Sequence, residues 1–303
     1  MTTLPPTLQG SENSTAARKI VEAVRNGKCI LFLGAGVHYP PPGDSRYEYP
    51  EEQRPPLGGA LARALAEQCD FKQVCPHDSD SNLQRVALCY ETRLSRRALV
   101  EEIHTRVESH ARPSAAVRAL AELPFPLVIT TNYDTLFERA LRRADKDPLI
   151  GVYEPRSDVH TSDLAPGADP TIDSPFLFKV HGDIKRPESI VVTDEDYIGF
   201  VLRMNAASSF HPIPETFRYH LLRWPTLFIG YSLLDYNLRL LFRTLRWQVD
   251  EARHPESYSV DYSPDPLISQ VWQRHQSFRF IVEDVWDFVP HLYRDVLGRE
   301  MPE

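Results

Sequence analysis

The sequence predicts an α/β protein: a mostly parallel sheet covered by helices on both faces, with helical insertions forming a smaller lobe. Three observations carry this reading. Short apolar runs of strand length alternate along the chain with segments of helical period. The runs CILFLGAG (29–36), PLVITT (126–131), FLFKVHGD (176–183) and TLFIGYS (226–232) are continuously apolar, as strands buried on both faces require. Each ends in a polar or glycine-bearing tip, and in open α/β sheets the carboxyl ends of the strands form the ligand crevice.

Taken in order, a helical pattern begins at Ser14 or Thr15, carries Ile20, Val21 and Val24, and stops at Gly27. After the first strand, residues 39–56 are crowded with proline and predict an irregular loop. Helical periods follow at 57–69, 82–92, 95–110 and 114–122, then the strand PLVITT and a helix over DTLFERALRRA. Residues 147–175 read as an extended connection with a strand near 149–153. Beyond FLFKVHGD, a short strand is expected at IVV (190–192), and Thr193 is placed to cap the acidic first turn TDEDY. Asp235 is placed to cap a helix over LRLLFRTLRWQVD, and SFRFIVEDVWDFVPHLYRDVL supplies a last strand and helix. The 303 residues suit one domain, with the core at about 14–38, 120–183 and 225–303 and helical insertions at about 39–119 and 184–224.

Composition narrows the function. A net charge of −8, from 34 basic and 42 acidic residues, argues against a general nucleic-acid or membrane-surface binder. No signal peptide and no membrane-spanning run is visible, and the four cysteines lack a C-x-x-C pair. The expectation is a soluble cytoplasmic protein without a disulfide frame or bound zinc. No G-x-S-x-G elbow or phosphate-binding G-x-x-x-x-G-K-[ST] occurs, so neither serine hydrolysis nor P-loop chemistry is supported.

The strand tips hold the candidate chemistry. Gly34 and Gly36 let a backbone approach a pyrophosphate, or equally make a tight structural turn. Asp134 is placed to cap the helix that follows, which leaves Asn132 without so simple an explanation. His181 is a candidate general base, with a hydrogen-bonded structural histidine as the alternative. Gly230 and Ser232 offer a second phosphate turn or a helix entry.

The ordered set GAG, TTNYD, KVHGD and GYS-x-x-D resembles the sirtuin-like superfamily of NAD-consuming proteins. More narrowly, it is similar to the bacterial sirtuin-like NAD hydrolases of anti-phage defence. The resemblance implies a Rossmann-like fold with NAD lying across the strand tips. It implies that Ala35 and Gly36, beside Gly34, meet the pyrophosphate, with Gly230 and Ser232 on the other side and Thr131 in the cofactor-binding set. Asn132 then holds the nicotinamide ribose or the attacking water, Asp134 positions the nicotinamide end, and His181 is the catalytic histidine. Arg46 stands for the arginine of the family's cofactor loop, and Asp284 lies near the adenine end. Two departures stand out. His38 occupies the place of the usual serine after GAG, and residues 184–229 contain no cysteine, so the zinc ribbon of protein-deacylating sirtuins is missing.

The expected activity is hydrolysis of NAD to nicotinamide and ADP-ribose, with NAD as substrate and no zinc, gated for anti-phage defence. Because no room is visible for a separate sensor domain, gating is expected from homo-oligomerisation or from a partner such as a helicase-like ATPase or an Argonaute-type protein. The alternatives are a catalytically silent NAD or ADP-ribose sensor, or a zinc-free deacylase or ADP-ribosyltransferase.

Overall fold

The computed structural model describes residues 10–155, 169–205, 213–231, 255–273 and 278–303. Among them, seven strands form one sheet: β1 (Ile30–Leu33), β2 (Leu127–Thr130), β3 (Leu149–Val152), β4 (Phe176–Lys179), β5 (Thr226–Ile229), β6 (Ser257–Val260) and β7 (Phe278–Ile281). Their order is β3-β4-β2-β1-β5-β6-β7, and every neighbouring pair is parallel. The chain starts at the centre with β1, builds one side through β2, β3 and β4, then crosses to build the other through β5, β6 and β7. The direction of winding therefore reverses between β1 and β5, and a crevice opens beyond their carboxyl ends.

Side chains along the strands alternate between two apolar layers, as the two-residue period of a strand dictates. Leu31, Leu33, Val128, Leu177, Leu227 and Ile229 join one layer, packed under α1 (Gly10–Arg25), α6 (Ala115–Glu122), α7 (Leu136–Arg143) and α11 (Val285–Leu297). The other layer is largely aromatic, with Phe32, Phe176, Phe178, Phe228, Phe278 and Phe280 packed under α8 (Asp194–Asn205), α9 (Glu215–Leu221) and α10 (Pro266–Gln273). A third cluster stands apart from the sheet. It is built by α2 (Gly58–Gln68), α3 (Phe71–Val74), α4 (Leu83–Arg93) and α5 (Arg96–Glu108), together with Ile184, Ile190 and Val192.

Caps define several of these helices. Asn82, Ser95, Ser114 and Thr193 each accept a hydrogen bond from an amide three residues on, closing the first turns of α4, α5, α6 and α8. Three expectations change. The first helix begins at Gly10, ahead of Ser14 and Thr15, because the polar run before them holds no breaker after that glycine. Residues 190–192 form no strand; they run extended and buried, tied to the HGD turn by the Val191 amide donating to the His181 carbonyl at 3.0 Å. And β6 and α10 were not foreseen, because SYSV alternates serine with apolar residues while all four are buried. Asp235 and the helix expected after it lie outside the described residues.

The turns after β1 and β5 meet backbone to backbone. The Gly36 amide donates to the Gly230 carbonyl at 2.8 Å, and Gly230 adopts φ +76°. A Cβ on Gly230 would lie 2.3 Å from the Val37 nitrogen, and one on Gly34 would lie 2.5 Å from the Gly230 carbonyl oxygen. Strain and overlap act together at Gly230. Gly230→Ala is expected to cost on the order of 2–4 kcal/mol in urea unfolding. Gly43→Ala, whose Cβ meets nothing within 4 Å, should be close to neutral.

Candidate functional site

Strand register brings the candidate residues together. Leu33, Thr130, Lys179 and Ile229 end four neighbouring strands in one row, since Leu33 pairs with both Thr130 and Ile229, and Thr130 pairs with Lys179. Two residues beyond that row stand Ala35, Asn132, His181 and Tyr231. All four line one cleft of ≈ 480 Å³, within the roughly 300–1,000 Å³ usual for small-molecule sites. The floor is completed by His38, Thr131, Tyr133, Asp134 and Gly230. The roof comes from the helical insertion through Pro55, Pro56, Gly58, Gly59, Ser81 and Gln84.

Asn132 is buried, and its backbone amide donates to the Thr130 hydroxyl at 3.0 Å, which holds the tip in place. Its side-chain Oδ1 has no hydrogen-bond partner among the described residues. A buried amide oxygen left unpaired at a cleft wall costs roughly 1–3 kcal/mol unless water or a ligand satisfies it. His181 is also buried. Its Nδ1 lies 3.3 Å from the Tyr197 hydroxyl, and the Tyr197 and Phe200 rings meet its ring edge-on. Gly182, at φ +91°, makes the turn, and a Cβ there would lie 2.2 Å from the Ser189 carbonyl oxygen.

Asp134 does two things at once. Its Oδ1 accepts from the Leu136 amide at 2.9 Å, as a helix-entry residue should, while Oδ2 lies 3.6 Å from His38 Nε2. Burial alone pushes its carboxyl up. His38, the charge of Lys179 and the Leu136 amide more than offset this and hold it below the usual carboxylate range. Behind His38, the Tyr49 hydroxyl donates to the Arg112 carbonyl at 2.9 Å, so toward His38 Nδ1, 3.3 Å away, it accepts. The residue in the place of the usual serine thus stands directly beside Asp134.

Lys179 fastens this wall from beneath. Its buried ammonium lies 3.0 Å from Glu138 Oε1 and 3.1 Å from Asp183 Oδ2, and donates to the carbonyls of Tyr133 at 3.1 Å and Asp134 at 2.7 Å. One cation therefore joins β4, the turn after β2, the first turn of α7 and the HGD turn.

The structure gathers Ala35, Thr131, Asn132, Asp134, His181 and Gly230 at the cleft. Gly34 and Gly36 sit behind its lining, and their amides are already committed to the Ile229 and Gly230 carbonyls at 2.9 and 2.8 Å. Their glycine identity follows from the close approach of the two turns, so the tight structural turn accounts for them. Arg46 is not brought to the cleft. It is half exposed, bonded to the Tyr47 hydroxyl and paired with Glu300, because the proline-rich loop packs toward the chain's last residues. Asp284 is the N-cap of α11, accepting from the Trp286 amide at 2.7 Å, and is not part of the cleft lining. Ser232 lies outside the described residues. Sequence reasoning missed Tyr231, whose hydroxyl bonds Thr131 and the Leu33 carbonyl, both at 3.0 Å. Counting two residues from each strand end would have chosen it over Ser232. No group of acidic, histidine and cysteine side chains placed to hold a metal occurs among the described residues, and no described helix is long and apolar enough to cross a membrane.

Comparison with known proteins points the same way. The family model described as "SIR2-like domain" matches residues 126–281, just over half of the chain. An Enterococcus faecium protein named NAD(+) hydrolase ThsA is 28% identical over 240 residues, covering 78% of this chain and 44% of the relative. Its Acinetobacter baumannii namesake is 24% identical over 297 residues, covering 93% and 55%. Defense-associated sirtuin 2 of Bacillus subtilis is 26% identical over 270 residues, covering 87% and 24%. The chain thus spans about half the length of the first two relatives and about a quarter of the third.

Two stability outcomes follow from the site's charges. Lys179→Met leaves Asp183 buried without its cation and Glu138 with only the more distant Arg142 and Lys185, at 3.8 and 3.9 Å, and should cost about 3–5 kcal/mol in urea unfolding. Asp134 has its folded pKa below the unfolded value of about 4, so the stability it contributes is present above that value and is lost as pH falls through the folded one. Asp134→Asn should therefore be less stable near pH 6, by on the order of 1–3 kcal/mol. It should also lose less stability than wild type on acidification below about pH 4, as unfolding curves across pH 3–6 would record.

Proposed function

Because the chain belongs to the SIR2-like domain family, we propose that its strand-tip cleft binds NAD and hydrolyses it to nicotinamide and ADP-ribose. The observation that carries this reading is the unpaired, buried Asn132 Oδ1 placed in the same cleft as His181, on the neighbouring strand at the same offset. A ligand hydroxyl or a water would complete the amide, and a base stands beside it.

The chemistry asks little more. The bond that breaks joins the ribose anomeric carbon to the nicotinamide nitrogen. Its electron pair goes to the ring, neutralising the cationic leaving group. Water then bonds to the anomeric carbon and gives up a proton, which His181 accepts and returns to solvent. Asn132 orients that water or the adjoining ribose hydroxyl, so the attack needs little further ordering. Asp134, held ionised, lies where cationic character spreading from nicotinamide to ribose is stabilised. Thr131, Ala35 and Gly230 line the remainder, where the pyrophosphate would pass. Because the Gly34 and Gly36 amides are committed, Ala35 is the residue of the first turn left to meet it.

The relatives named NAD(+) hydrolase and defense-associated sirtuin support the same substrate and a place in defence, which in this reading is defence against phage. A free NAD hydrolase is toxic to its own cell, so the activity is gated in this reading, by self-assembly or by a partner protein.

The test is to follow nicotinamide and ADP-ribose after adding NAD to the purified chain, alone and with the products of adjacent genes. Wild type should release both. His181→Ala and Asn132→Ala should each lower the rate by roughly 10²–10⁴ while the chains still unfold in one cooperative transition. Tight binding of ADP-ribose with no release under any condition would replace the hydrolase by a sensor. Transfer of acetyl from an acetyl-lysine peptide to ADP-ribose would replace it by a deacylase.

A further inference from the structure

His181 can take a proton at the cleft only if the ring nitrogen facing the ligand is bare. In a neutral imidazole one nitrogen carries the proton, and the hydrogen bond made by the other edge decides which. Here Nδ1 faces the Tyr197 hydroxyl at 3.3 Å, with the two rings edge-to-face at 5.1 Å between centroids. Both residues are buried and both line the cleft. A phenol oxygen can accept from Nδ1–H whatever its own proton does. With the proton on Nδ1, Nε2 is the basic atom. From this geometry, and resting on the hydrolase reading above, we propose that Tyr197 is a positioning residue that holds His181 in its Nδ1–H tautomer and fixes the ring against the cleft.

The way Tyr197 is held supports a positioning role. It sits one turn into α8, whose start is tied down from four directions. Thr193 caps the Asp196 amide at 3.1 Å, and Asp196 Oδ2 accepts from the Val192 and Thr193 amides, both at 3.0 Å. From the helical insertion, Arg96 reaches across to Asp196 Oδ2 at 2.8 Å and also donates to the Ile190 carbonyl. From the floor, the Tyr133 hydroxyl donates to the Val191 carbonyl at 2.9 Å, and the Val191 amide donates to the His181 carbonyl at 3.0 Å. The phenol is thus carried on a segment bonded to the roof, to the floor and to the backbone of His181 itself. A phenol also stands against the other cleft histidine: Tyr49 lies 3.3 Å from His38 Nδ1, and there the hydroxyl donates to the Arg112 carbonyl.

Tyr197→Phe removes the acceptor and keeps the ring packing, so the test is made on that variant of the full chain. With NAD, kcat should fall about tenfold, the loss of one hydrogen bond, while KM stays within about twofold and the variant still unfolds in one cooperative transition. Imidazole 15N NMR on histidine-labelled protein, with the His181 signals assigned from His181→Ala, reads the tautomer directly. Wild type should show a protonated Nδ1 and a bare Nε2, and the variant a shift toward Nε2–H. A wild-type ring already protonated on Nε2, or an unchanged tautomer in the variant, overturns the proposal; so does an unchanged kcat in a chain that hydrolyses NAD. The NMR measurement needs no turnover. A chain that never releases nicotinamide yet shows the tautomer change upholds the positioning role and sinks the hydrolase reading instead.

Discussion

The buried ammonium of Lys179 is the constraint from which the cleft wall is built. Ionised groups are rarely so enclosed, and here one cation serves two carboxylates and two carbonyls drawn from three stretches of chain. Such a group cannot be satisfied halfway. Either Glu138, Asp183 and the turn carrying Tyr133 and Asp134 all arrive, or a charge is left in a low-dielectric interior. The result is a turn after β2 and a turn after β4 that are fixed relative to each other. That is what Asn132 and His181 need in order to act on one molecule.

The second constraint is register. Parallel pairing sets four strand ends level, so residues at equal offsets beyond them share a wall. Ala35, Asn132, His181 and Tyr231 come from places scattered over nearly two hundred residues of chain, yet occupy one line at the mouth of the sheet. The glycine contact between the β1 and β5 turns closes that line where the winding reverses.

Much of this was legible in the sequence, for identifiable reasons. β1, β2, β4 and β5 are buried on both faces and so read as unbroken apolar runs, and their polar tips announced the cleft. β6 was illegible because Ser257 and Ser259 are buried while looking like surface residues. Asn132 and His181 could be picked as candidates because nothing local explained them. Tyr231 escaped because a tyrosine beside a strand carries no signal until register is known. Arg46 is not among the residues lining this cleft, and its place was illegible because loop residues have no periodicity to locate them and its partner Glu300 is distant in sequence. The committed amides of Gly34 and Gly36 show the limit of motif reading: a glycine can be required by a neighbouring backbone as firmly as by a phosphate.

The roof of the cleft rests on an apolar cluster of its own, separate from the two layers that flank the sheet. Floor and roof therefore answer to different packing constraints. Substitutions on α2 and α4 that leave the α5 contacts of Arg96 and Glu108 in place can reshape what covers the ligand while the line of strand tips beneath keeps its spacing. Descendants of this architecture can then alter which molecules are admitted, and when, by rewriting one module, while the reacting groups are inherited intact in the other.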